Sequence, residues 1–334
     1  MPPRFTVLRS NTVEAQACFS KYYEPFVISF GIFLNSVLIH TYKRAKVRKF
    51  SGCLPALSGA EIGCLLVHIF HWLKSRAKVD AKSVTGICQV SMYGTYAFNF
   101  LVAWFLVGLV SERIFAMGHQ IWETRKITKF LMNLYVTIIS LAGCLLYTMC
   151  LWTFGINPII GCTVLHAFQK ANRIFAYVDA LIAVLIPILL LGVLAVLMLI
   201  LYVQFIVRYV IKNLPRERRV GIRDLGNHKD ESCVSLAVLI VVVTHLAMIL
   251  PDKYLHVEYI IIELSGILPQ VGPTTIVQQM IFKDVLLTCY AFNPIIYFAC
   301  LSSLRSTFYE NVTRWPCLQD KRPMQPVGIE SEVA

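Results

Sequence analysis

Between Cys88 and Ile114 the chain reads CQVSMYGTYAFNFLVAWFLVGLVSERI, with no charged side chain before Glu112 and Arg113. An α-helix rises about 1.5 Å per residue, so Cys88 to Arg113 spans roughly 37 Å. That length crosses a hydrocarbon core of about 30 Å and part of each headgroup layer. Within that core only a helix or a closed barrel satisfies its own backbone. The stretch therefore reads as one membrane-crossing helix, with a thiol at one mouth and a cation at the other.

The rest of the chain is of the same kind. It is 57% hydrophobic and 15% charged over 334 residues, with mean hydropathy +0.64; soluble domains carry about 25% charged residues. Seven apolar runs follow one another: Phe26 to Tyr42, Leu54 to Leu73, Ile87 to Val110, Phe130 to Phe154, Ala176 to Tyr209, Cys233 to Ile262 and Ile276 to Cys300. The first 25 residues hold no apolar signal-peptide core, so the first run is expected to act as an uncleaved anchor. The expected fold is an all-α membrane protein, a seven-transmembrane helix bundle. It divides into an extracellular tail (1–25), the membrane domain (26–300), and a short surface helix with a cytoplasmic tail (301–334).

A net charge of +12 invites a nucleic-acid reading, but the basic residues sit in short loops between apolar runs. There they set orientation and meet anionic membrane lipids. With the N-terminus outside, 20 of the 31 Lys and Arg fall on the cytoplasmic side, which favours that orientation. Lys74, Arg76, Lys78 and Lys82 form one dissenting outer loop. Of the 11 cysteines, Cys64, Cys144, Cys150, Cys289 and Cys300 lie inside apolar runs and read as small core residues. No CxxC or other metal-ligand spacing occurs, and no cofactor is expected. The deep polar groups Asn35, Glu61, Asn99, Thr244, His245 and Asn293 are single, without a nucleophile–base–orienter pattern, so no catalytic residue is expected. Nor do the two halves repeat each other as transporter halves commonly do.

Several spacings are more specific. Cys88 opens the third run and Glu112-Arg113-Ile114 ends it; Asn293-Pro294-Ile295-Ile296-Tyr297 ends the seventh, and the amphipathic stretch Leu301 to Tyr309 follows. Asn35 stands in the first run, Pro187 in the fifth and Pro251 in the sixth. In this order the features resemble the rhodopsin-like, or class A, G-protein-coupled receptors, over Phe26 to Phe308. The resemblance implies a disulfide from Cys88 to Cys162 in the loop between runs four and five. It implies that Arg113 is a switch residue facing a heterotrimeric G protein, with Glu112 or Glu231 as its carboxylate partner. Tyr297 would swing inward on activation, as the sixth helix moves out about its proline. Asn35, Glu61, Asn293 and Pro294 would form a polar core network; the family normally has aspartate at Glu61, in a cluster that holds sodium, and a hydroxyl at Val102. The family's tryptophan two residues before the sixth-run proline is Ile249 here, which marks the chain as divergent.

The resemblance also bears on the ligand. Thr95 stands where amine receptors place aspartate, and Leu287 lies close to where a retinal receptor needs lysine. A wide, aromatic peptide pocket is expected instead, with Trp72, Gln89, Tyr93, Tyr96, Asn99, Tyr254, Glu258, Gln279 and Asp284 facing it. Invertebrate neuropeptide receptors of the FMRFamide type are the nearest kind within the class. The expected activity is binding of an extracellular neuropeptide and activation of a G protein at the plasma membrane. A small-molecule chemosensory receptor and a seven-span transporter or channel are the alternatives. Cys317 is a palmitoylation candidate.

Overall fold

The computed structural model describes residues 4–44, 52–76, 85–118, 122–157, 161–213, 222–264 and 273–313. Among the described residues, seven helices are long and apolar enough to cross a membrane. Helix α1 spans Arg4–Arg44, α2 Cys53–Arg76 and α3 Thr85–Gly118. Helix α4 runs Trp122–Leu146 and tightens through a 3-10 turn, Tyr147–Met149, into a last turn, Cys150–Thr153. A hairpin follows, β1 Phe154–Asn157 and β2 Gly161–Val164. Helix α5 is built of Gln169–Asp179, a π turn Ala180–Leu185, and Ile186–Asn213. Helices α6 (Ile222–Leu264), α7 (Pro273–Cys300) and the short α8 (Ser302–Thr313) complete the order. The chain is a multi-pass membrane protein with an all-α seven-helix bundle.

Helix α3 sits at the centre. It packs against α2, α4, α5 and α6, and 67% of its span is buried, against 17% for α4 at the rim. The reason is compositional: α3 brings Phe100, Val102, Phe105, Leu106, Leu109 and Val110 into one core with residues of every other span. The exposed apolar side chains of α4 and α5, among them Leu141, Leu145, Leu189 and Val193, suit lipid. Between α1 and α7 the backbones approach closely at Gly31, where a Cβ would lie 2.7 Å from that of Ala291. Small residues allow such contacts where burial in lipid provides no hydrophobic drive between helices.

The π turn in α5 leaves one carbonyl without a backbone donor. In a π-helix the carbonyl of residue i accepts from the N–H of residue i+5; five residues after Ile182 stands Pro187, which has none. The indole Nε1 of Trp104 on α3 donates to that carbonyl instead, at 3.2 Å. Tyr135 on α4 in turn donates its hydroxyl to the Trp104 carbonyl at 2.6 Å. Trp104→Phe is expected to leave the Ile182 carbonyl without this donor and to destabilise the protein by about 1–3 kcal/mol. Thermal unfolding of the purified variant measures the loss.

The first helix starts earlier than its apolar run suggests. Residues 18–25, expected in an extracellular tail, continue α1 and pack on its neighbours. The polar partners described below explain why a segment of low hydropathy stays helical there. Helix α8 matches the expected surface segment. Its Leu304, and Leu301 just before it, are buried, and Arg305 donates to the terminal carbonyls of α7 at Phe298 and Ala299. That satisfies groups any helix end leaves open.

Candidate functional site

Both mouths of α3 carry built features. At one, Cys88 and Cys162 are disulfide-bonded with their Cα atoms 5.6 Å apart. Cys162 lies opposite Ile156 in the hairpin, so the bond pins the whole β1–β2 ribbon to the start of α3. Gln89 strengthens the attachment by donating to the Phe154 carbonyl at 3.2 Å. The seven apolar runs do not show this ribbon, because its strands are only four residues long and lack a polar alternation.

At the other mouth, the Arg113 guanidinium meets Glu112 at 3.0 Å, and both side chains are almost fully buried. A buried ion pair is costly to form and more costly to break from one side. Of the two carboxylates expected to partner Arg113, Glu112 is in place; the side chain of Glu231 lies outside the described residues. Tyr297 is buried within α7, three residues after Pro294.

Between the two mouths lies the polar core. Asn293 donates its amide to Glu61 at 2.5 Å, joining α7 to α2. Asn35 donates to the carbonyls of Gly31 and Tyr290, which joins α1 to α7. Tyr290 donates its hydroxyl to Asn99 on α3 at 3.0 Å, and the Cys64 thiol approaches the same oxygen at 3.7 Å. Cys289 lies 3.7 Å from Asn293 and 3.9 Å from His245 on α6. These contacts form two groups, Asn35 with Tyr290, Asn99 and Cys64, and Glu61 with Asn293, Cys289 and His245.

The expected pocket residues divide. Tyr96 stacks on Tyr147 and meets Phe154 and Phe175. Asn99 is taken up by the core network. Tyr93 donates to the Cys144 carbonyl at 3.3 Å, so it belongs to the α3–α4 seam rather than to a cavity. Tyr254 is 68% exposed, too open to line a pocket that buries most of its ligand. Gln279 is also exposed, and the Glu258 side chain lies outside the described residues. Asp284 is buried, but Ser20 covers it, donating its hydroxyl at 2.8 Å. Beside it Lys283 pairs with Glu24 at 3.1 Å, Tyr23 shares a hydrogen bond with Thr288 at 2.5 Å, and Trp72 donates to the Lys21 carbonyl. These contacts bind residues 20–24 of α1 to α7 and α2. Among the cysteines assigned to the core, Cys144 is in fact exposed, whereas Cys64, Cys150 and Cys289 are buried.

One buried group escaped the sequence reading. Asp179 accepts the Tyr147 hydroxyl at 2.5 Å, in a shell of Tyr96, Phe100 and Phe175. A lone carboxylate inside an apolar run was the available signal, since ionisable groups at membrane depth are rarely incidental. Tyr147→Phe removes a donor to this carboxyl and is expected to cost about 2 kcal/mol. A thermal shift smaller than that of a surface control such as Trp152→Phe would contradict it.

Among the described residues no group of three or more His, Cys, Asp or Glu side chains is placed to hold a metal ion. No protein-family model matches the sequence. No curated protein matches it either.

Proposed function

We propose that this protein is a rhodopsin-like G-protein-coupled receptor of the plasma membrane, activated by an extracellular neuropeptide. The observation that carries the reading is the pairing on one helix: a disulfide-pinned hairpin at the first turn of α3, and a buried Glu112–Arg113 pair near its other end. A transporter or channel needs a path across the bundle, and neither feature serves one. A receptor needs a shaped outer mouth and a latch on the inner side, with a rigid element between. Helix α3 supplies that element.

The hairpin shapes the ligand entrance, and the inner end of α6 moves outward about Pro251 to admit the G protein. Pro251 removes a backbone hydrogen bond within α6, which makes the bend there inexpensive. Movement of α6 uncovers the inner end of α3 and exposes Arg113, held by Glu112 on its own helix, to the G protein, while Tyr297 turns in beside Pro294. The protein carries no catalytic role in this scheme. The basic inner loops lie against anionic lipid and along the rim of the G-protein contact.

A peptide suits the outer mouth better than an amine, because Thr95 donates its hydroxyl to the Ser91 carbonyl and carries no charge. The test is expression of the full chain with a promiscuous G protein and a screen of amidated peptides. A peptide that drives nucleotide exchange supports the reading. Silence to every peptide, with responses to volatile or lipid compounds, would move it to the chemosensory class.

A further inference from the structure

We propose that the Glu61–Asn293 hydrogen bond is a direct strut between α2 and α7 that replaces a bound cation, so the polar core takes no sodium. The inference rests on the receptor reading above, because that family normally places aspartate at this position in a sodium-holding cluster. Two departures in this chain then explain each other. Glutamate is longer than aspartate by one methylene, a reach of about 1.5 Å. That reach brings Oε1 of Glu61 to 2.5 Å from the amide nitrogen of Asn293 across the helix interface.

The remaining donor set is wrong for a hard cation. An alkali ion in a dry interior needs several oxygens to replace its water shell. Val102, on the central helix, is fully buried and offers only methyl groups where the family has a hydroxyl. Asn293 presents its nitrogen to Glu61, and its oxygen is approached by the Cys289 thiol at 3.7 Å. The Asn99 oxygen is engaged by Tyr290 and Cys64. Asn35 turns its nitrogen to two backbone carbonyls. The groups that complete the cluster, Cys289 and His245, are sulfur and nitrogen. Of these side chains, the Glu61 carboxylate and the Asn35 side-chain oxygen are left to a cation, too few to strip a sodium ion of water. The carboxylate is satisfied by an amide instead.

The experiment needs neither ligand nor G protein, so it stands apart from a failure of the receptor reading. Full-length protein is purified in lipid nanodiscs and its thermal unfolding followed with a thiol-reactive dye. The buried thiols Cys53, Cys64, Cys150 and Cys289 report the transition. Sodium chloride is exchanged for choline chloride at constant ionic strength. The wild type is expected to show one Tm throughout; a saturable rise with sodium would overturn the proposal. Glu61→Asp shortens the strut and is expected to lower Tm, whereas Glu61→Gln keeps the reach and an oxygen acceptor and should stay close to wild type. Equal, large losses in both would overturn the strut. Glu61→Asp combined with Val102→Ser is expected to gain a sodium-dependent rise of about 2 °C or more. A flat response in that double variant would remove Glu61 and Val102 as the residues that exclude the ion.

Discussion

Arg113→Ala is expected to abolish ligand-driven nucleotide exchange on the G protein, measured with the peptide found in the screen above. Arg113 is 3% exposed and its guanidinium nitrogen lies 3.0 Å from Glu112. Removing it leaves Glu112 buried without this cation, a change that costs about 3–5 kcal/mol at buried pairs. Surface expression must therefore be measured beside signalling. Arg113→Lys separates the two effects, because it keeps the charge but loses the planar fork of donors. It should recover more of the fold than of the signal. Glu112→Gln works in the opposite direction: it weakens the latch and is expected to raise exchange without ligand. Full ligand response in Arg113→Ala would show that the latch is elsewhere.

The second large effect is expected at the outer mouth. Cys88→Ser, Cys162→Ser and the double variant should all lose about 4 kcal/mol, because the bond closes a chain separation of 74 residues in the unfolded state. The three variants should lose the same amount, since either substitution alone already opens the loop. Unfolding of the purified variants and surface labelling in cells both measure the loss, and reduction of the wild type should reproduce it. Peptide affinity is expected to fall further than stability alone explains, because the hairpin no longer stays over the start of α3. Cys144→Ser serves as the control, its thiol being exposed and outside any disulfide. A double variant with normal stability and affinity would show that the hairpin holds its place without the bond.

The polar residues were partly legible beforehand. Glu61, Asn35 and Asn293 stand out because polar groups at membrane depth are costly and must find partners. Their partners did not stand out, since those come from helices far apart in the chain: Asn293 meets Glu61 across a separation of 232 residues. Asp179 and Tyr147 escaped for a related reason, as neither side chain has meaning without the other. The pocket was read least well. Tyr93 and Tyr254 look equivalent to Tyr96 in sequence, yet one faces α4, one faces outward, and only Tyr96 joins the inner aromatic cluster. Helix rotation decides this, and the apolar runs are hydrophobic nearly all round, so they carry little phase information.

By itself, then, the sequence determined that seven helices cross a membrane, because length and hydropathy are properties of each segment alone. It also determined where backbone hydrogen bonds are lost, at Pro187, Pro251 and Pro294. Only the tertiary structure decided how far α1 extends, what covers Asp284, which indole replaces the hydrogen bond lost at Pro187, and which amide meets Glu61. Each of those depends on the distance between two atoms on different helices. In a bundle held by close packing, that distance is set by all the neighbouring side chains together.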